Sequence, residues 1–224
     1  QERPIVFQPA SERKPCGVLA VIQEAGQGSR FRHCVFQGGG KGPKEGVNRM
    51  GFHWTGAFNG YGGRFLLDRC RFADNPAEDA VNCKRATVRI VDCVFENNAG
   101  DALDLDFAPG AEVRGNRFAG NGNDAMDISG TAAWIYANIV HGSGDKGISV
   151  GERSFPVILR NVLRGCATGI AVKDGSSAQI GNCLLAGNAV GLDLYLKKAA
   201  FRSSGEVALK DIRFENNGRD VRQP

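Results

Sequence analysis

Apolar and polar positions alternate in short bursts along most of this chain, and the bursts recur at a nearly constant spacing. Three successive copies read Asp79-Ala80-Val81-Asn82-Cys83-Lys84, Asp101-Ala102-Leu103-Asp104-Leu105-Asp106 and Asp124-Ala125-Met126-Asp127-Ile128-Ser129. Each runs small, apolar, polar, apolar, polar, the two-residue period of a strand with one buried face. Ala80, Ala102 and Ala125 lie 22 and 23 residues apart, and the phase continues at Gly147, Gly169 and Gly191 in steps of 22. A fixed period in the twenties with a short strand in each repeat predicts a solenoid.

Each period from Arg64 onward predicts three strands. The first is of the type Val88-Arg89-Ile90, the second of the type Cys93-Val94-Phe95, and the third is the burst above. Turns such as Glu96-Asn97-Asn98-Ala99-Gly100 separate them. Three short strands per repeat predict an all-β fold: one single-stranded right-handed parallel β-helix of about seven coils, each of roughly 22 residues. Residues 1–17 read as a lead-in or capping segment and residues 18–224 as the β-helix. Cys16–Ile22 and Phe31–Phe36 read as the first strands. The stretch 37–48, rich in Gly and Lys, reads as a loop too polar to be buried. Gly51-Phe52-His53-Trp54-Thr55 then fits the third-strand pattern 29 residues before Ala80. After Tyr195 the rhythm breaks, and a last coil ends near Asp220-Val221, where a further third strand would begin. An open solenoid leaves strand edges unpaired, so either the sequence is cut from a longer chain or a neighbouring domain or chain is expected to cover that C-terminal end.

Parallel stacking turns columns of the repeat into ladders one strand spacing apart, about 4.8 Å. Phe36, Phe72, Phe95 and Phe118 form one inward column. Phe52, Val81, Leu103 and Met126 form another, with Trp54, Cys83, Leu105 and Ile128 beside it. Cys34, Cys70 and Cys93 share a column that continues as Asn116, Asn138 and Asn161, with Cys183 displaced by one behind Asn182. Stacked side chains point the same way, whereas a disulfide needs converging Cβ vectors, so Cys70 and Cys93 are expected to be neighbours yet unbonded.

The outward columns of the third strands are where chemistry can sit. One reads His53, Asn82, Asp104, Asp127, Ser149, Ala171, Asp193, and the next Thr55, Lys84, Asp106, Ser129, Gly151, Lys173, Tyr195. Asp79, Asp101, Asp124 and Lys146 stand at the strand entrances. Like charges one rung apart repel by roughly 1 kcal/mol even near water's dielectric. The entrance aspartates can be satisfied by turn N–H groups. Asp104, Asp106 and Asp127 lie mid-strand and need lysines or a hard cation such as Ca²⁺, which takes six to eight oxygens.

Composition narrows the classes. The 224 residues carry 28 Lys+Arg against 24 Asp+Glu, a net charge of +4 without interleaved aromatics, which argues against nucleic acid as a partner. No apolar run nears the ~18 residues that cross a bilayer, so membrane insertion is not expected. Seven cysteines without a CxxC pair and three scattered histidines show no zinc-ligand spacing.

The recurring N-x-F/V-x-x-N/G-x-G-D-A/G pattern, followed by alternating apolar positions, resembles the right-handed parallel β-helices of the pectate-lyase-like superfamily. Asp145-Lys146-Gly147-Ile148-Ser149-Val150-Gly151-Glu152 and Gly169-Ile170-Ala171-Val172-Lys173-Asp174 are similar to β-helix modules of bacterial surface proteins. The resemblance spans roughly Val18 to Val221. It implies fold more than activity, because that superfamily houses lyases, hydrolases, epimerases and non-enzymatic modules. It implies an extracellular, periplasmic or cell-surface location and an acidic polysaccharide as partner.

Two functions compete on these residues. A Ca²⁺-dependent lyase or epimerase would hold the ion on Asp104, Asp106 and Asp127. It would draw its base from Lys84, Lys146, Lys173 or His53, a lysine only with a lowered pKa, and bind substrate through Asn82, Asp193 and Tyr195. Hydrolysis by paired carboxylates lacks its motifs: Asn123-Asp124 is present, but no Asp-Asp pair, Gly-His-Gly or Arg-Ile-Lys follows. The alternative is a non-catalytic structural or glycan-binding module of a larger cell-surface protein.

Overall fold

A computed structural model describes residues 3–11, 17–42 and 45–223. Three parallel sheets run the length of the molecule, and every coil contributes one strand to each. The first sheet extends from Gly28–Arg32 to Glu206–Lys210, the second from Ile5–Phe7 to Arg213–Glu215, and the third from Leu19–Ile22 to Arg219–Arg222. The fold is a right-handed parallel β-helix, with eight strands in the first sheet and nine in each of the others. Ile5–Phe7, in the lead-in segment, joins the second sheet beside Cys34–Gln37. Cys16 lies outside the described residues, so the expected first strand is described only as Leu19–Ile22.

The inward columns form one continuous core. Phe36, Phe72, Phe95 and Phe118 stack with centroids 4.8, 5.0 and 4.7 Å apart and planes within 13° of parallel. Phe7 extends the stack at 4.6 Å from Phe36. Such offset ring contacts add to the burial of apolar surface that holds each coil on the last.

Between the first and second sheets the chain turns through one residue at positive φ in every coil, among them Arg69, Asp92, Ala137 and Arg160. The following residue points inward. Where it is Asn, its amide closes the buried turn. Asn116 accepts from the Cys93 N–H at 2.8 Å and donates to the Ile90 carbonyl at 2.9 Å, and Asn138 and Asn161 repeat the motif one coil on. Buried backbone groups are thereby paired where no strand reaches them. Cys183 sits in this column rather than displaced from it: the Asn161 N–H meets its Sγ at 3.4 Å, while Asn182 takes the positive-φ corner.

Two further ladders were not foreseen. Asn75, Asn98 and Asn121 link side chain to side chain at 2.8 Å per step in the turn before the third sheet. Thr131, Ser154 and Ser176 pass hydroxyl bonds along the turn after it.

All six described cysteines are buried and free, Cys70 and Cys93 among them. We expect a thiol reagent to react slowly with the folded protein, and all six to react in denaturant without reductant. Five or fewer reactive thiols among the chain's seven cysteines would overturn the unbonded stack.

One register expectation fails. The strand beside Asp79–Lys84 is Gly56–Tyr61, with Phe58 opposite Val81, Asn59 opposite Asn82 and Tyr61 opposite Lys84. Phe52–Trp54 instead pairs antiparallel with Val47–Arg49 as a hairpin. Phe52, His53, Trp54 and Thr55 therefore leave the ladders, and His53 lies exposed with Nδ1 2.8 Å from Asn48 Oδ1. The true strand is hard to see because Gly60 holds an inward position. A Cβ there would come within 3.0 Å of the Phe65 ring and 3.1 Å of Cys83 Sγ, so Phe65 fills that space. The preceding loop is not wholly exposed either. Gly39 and Gly40 are buried, and a Cβ on Gly40 would lie 2.3 Å from that of Ala77.

Candidate functional site

The outer face of the third sheet carries the stacked aspartates. Its register places Asp104 between Asn82 and Asp127, and Asp106 between Lys84 and Ser129. Asp79 stands opposite Asp101 at the strand entrances. Asn82 Nδ2 donates to Asp104 Oδ2 at 2.5 Å, and Lys84 Nζ lies 3.2 Å from Asp106. Asp101 Oδ1 accepts from Asn123 Nδ2 at 2.7 Å and from the Asp124 N–H at 2.8 Å. Asp124 Oδ1 accepts from the Lys146 N–H at 2.9 Å and lies 3.4 Å from Lys146 Nζ, which also bonds Asp145. Asp101 and Asp124 thus find turn N–H groups, as their position suggested, whereas Asp79 has the Thr55 side chain beside it.

This crowding moves the carboxyls upward. Burial, with repulsion from Glu78 and Asp106, pushes Asp79 up to about 7. Burial and the neighbouring Asp124 and Asp79 push Asp101 up to about 8. Asp104 is held well above the carboxylate range by burial and then by Asp79, Asp106, Asp127 and Asp101. Burial works against the charge on Lys84 and Lys146, but the surrounding carboxylates together outweigh it, Asp106 with Asp104 for the first and Asp124 with Asp145 for the second, and raise both pKa values. A lysine so held keeps its proton, which suits charge neutralisation and not the general-base role expected of these two.

The carboxylates that converge differ from the expected set. Oxygens of Asp101, Asp124 and Asp127 lie within 4.8 Å of one another, and Asp127 Oδ1 is buried without a partner. Asp104 and Asp106 stand aside from this group, each engaged by its own neighbour, Asn82 and Lys84. Three carboxylates and one unpaired oxygen are donors of the kind Ca²⁺ takes. Lys173 crosses Gly151, buried, to donate to Ser149 Oγ.

Beyond Lys146 the face opens into a groove of about 840 Å³, lined by Asp145, Lys146, Thr168, Asp193, Tyr195, Lys197 and Arg222. Its wall is the segment after Tyr195. Asp174 Oδ1 accepts the Lys197 and Lys198 N–H groups at 2.7 Å each, Lys198 pairs with Glu152, and Arg153 lies 5.7 Å over the Phe201 ring. The strand Arg219–Arg222 forms where the chain was expected to stop, and Arg222 Nε donates to Asp193 Oδ1 at 2.8 Å. Burial raises the Tyr195 phenol, against the pull of Lys146. Of the expected site residues, Lys146, Asp193 and Tyr195 meet in this groove. Asn82, Lys84 and Lys173 lie elsewhere on the face, and His53 lies off it. Lys197 and Arg222 were missed because they fall where the repeat breaks.

Among known proteins, the family described as right handed beta helix region matches residues 15–138 and 132–218. No curated protein matches the chain. Among solved structures, PfbA, a surface adhesin of Streptococcus pneumoniae, is similar at 9% identity and a TM-score of 0.48, over 98% of this chain and 79% of that one. The A-module of the Azotobacter vinelandii mannuronan C-5 epimerase AlgE6 is similar at 13% identity and a TM-score of 0.38, over 92% and 83%.

Proposed function

The chain belongs to the right handed beta helix family, and on that scaffold we propose a binding module for an acidic polysaccharide, seated in the groove of the third sheet. The observation that carries this reading is the convergence of Lys146, Lys197 and Arg222 around Tyr195 in one open groove. The cations meet sugar carboxylates, the tyrosine ring offers a face for a pyranose, and Thr168 and Asp193 offer hydrogen bonds to hydroxyls. Such a ligand implies display outside the cell or in the periplasm.

The test is calorimetric titration with polygalacturonate, alginate and neutral dextran. Binding of at least one uronate polymer and not of dextran is expected. Tyr195→Ala and Lys197→Ala are each expected to weaken it by about tenfold. Equal affinity for dextran, or no change in either variant, would overturn the reading.

A second reading, elimination or epimerisation at uronate C5, draws support from Asp79, whose carboxyl near 7 is matched to proton transfer around neutral pH. In that reading Asp101, Asp124 and Asp127 would hold a calcium ion, which when bound would neutralise the sugar carboxylate. Assaying the same polymers for unsaturated product and C5 inversion, with and without chelator, separates the two. Binding without turnover is the outcome expected of the module, and chelator-sensitive product would make it an enzyme.

A further inference from the structure

The first sheet carries a second groove, remote in sequence and on a different sheet, whose chemistry the third-sheet site does not absorb. Across its first three rungs, Arg30 stands opposite Leu66, which stands opposite Arg89, while Arg64 lies between Gly28 and Thr87 in the neighbouring column. Two strand spacings put the backbones of Arg30 and Arg89 about 10 Å apart. The three arginine stems thus surround Leu66 as a floor, with Thr87 on the rim, in a groove of about 430 Å³. Gly26 and Gly28 keep one side low.

Charge in this groove is one-sided. Arg89 Nε is 2.7 Å from Glu112, a carboxylate shared with Arg114. Arg30 and Arg64 have no ion pair among the described residues, and both are exposed. Three guanidinium forks with a single carboxylate, Glu112, beside them form a receptor for an oxyanion, which each can meet through parallel N–H bonds.

The geometry points to an anion-binding site of Arg30, Arg64 and Arg89 for the sulfate or phosphate esters of a glycan. A single nucleic acid strand would need exposed rings for its bases to stack on. The groove has none: Phe65, its only ring, is buried at 2% exposure. The Thr87 hydroxyl at the rim and a floor one aliphatic side chain wide suit a substituted sugar instead. The site is independent of the third-sheet groove.

Inorganic sulfate titrated into the intact chain is expected to shift the NMR signals of Arg30, Arg64 and Arg89, and dextran sulfate is expected to bind with an affinity that falls as salt rises. Arg30→Ala with Arg64→Ala should weaken dextran sulfate by about tenfold or more at an unchanged melting temperature. Arg117→Ala with Arg164→Ala removes the same charge from the second sheet and should change affinity less than about twofold. Tyr195→Ala should leave dextran sulfate binding intact whatever it does to uronate polymers. A phosphorylated mannan beside dextran sulfate shows which ester is preferred, and tighter binding of either than of unmodified dextran supports the site. Equal losses in the two double variants would overturn it, as would tighter binding of polyadenylate than of either charged glycan at the same ionic strength.

Discussion

Raising the pH from about 5 to about 8 is expected to lower the melting temperature of this protein by several degrees. In the unfolded chain the aspartates titrate near 3.9. In the fold, Asp79 and Asp101 hold their protons to about 7 and 8, and Asp104 is also raised. Below the unfolded value both states are protonated and no penalty arises. As pH climbs through that value the unfolded chain releases protons that the fold retains, so stability falls until the folded groups ionise. Asp68 has the opposite sign, because Arg69 and Arg32 hold it low, and its ion pairs are lost only in stronger acid. Asp68 therefore adds nothing to the slope between pH 5 and 8.

Asp101→Asn with Asp104→Asn should flatten that slope. The amide oxygens can still accept the bonds now made by Asn123, Asp124 and Asn82. The double variant is expected to melt near wild type at pH 5 and above it at pH 8. Parallel pH curves for the two proteins would show that these carboxyls do not govern the dependence.

Phe95→Ala is expected to cost about 3–5 kcal/mol. Phe95 has no exposure and lies between rings 5.0 and 4.7 Å away, so truncation opens a void that backbone hydrogen bonds hold apart. Phe7, at the end of the same stack, is half-buried with its one stacked neighbour in Phe36, and Phe7→Ala should cost much less. Urea midpoints for the two variants provide the comparison. Similar losses, or a loss below about 1.5 kcal/mol at Phe95, would mean that interior stacking contributes little.

The aromatic stack was legible in the sequence for a physical reason. In a parallel solenoid each coil contacts only its neighbours, so register is a local property written in the spacing of apolar positions. Phe72, Phe95 and Phe118 each sit 23 residues from the next and share one column. The same logic paired Asn82 with Asp104 and Asp104 with Asp127. It failed at Gly56–Tyr61, where Gly60 leaves one inward position of the strand to be filled by Phe65. The pattern then favoured Phe52–Trp54, whose alternation belongs to a hairpin.

Periodicity by itself thus determined the solenoid, its three-strand coils and the columns on which the carboxylates stand. Only the tertiary structure decided which groups act together. Asp101 and Asp124 join Asp127 because the turn entering the third sheet swings their oxygens within 4.8 Å, while Asp106 is drawn to Lys84. The groove exists because Asp174 anchors the chain after Tyr195 and because Arg219–Arg222 completes a strand beside Asp193. Backbone register follows a repeat that the sequence states directly. The reach of a side chain and the path of a segment outside the repeat depend on what surrounds them, and those surroundings come from coils far apart in the chain.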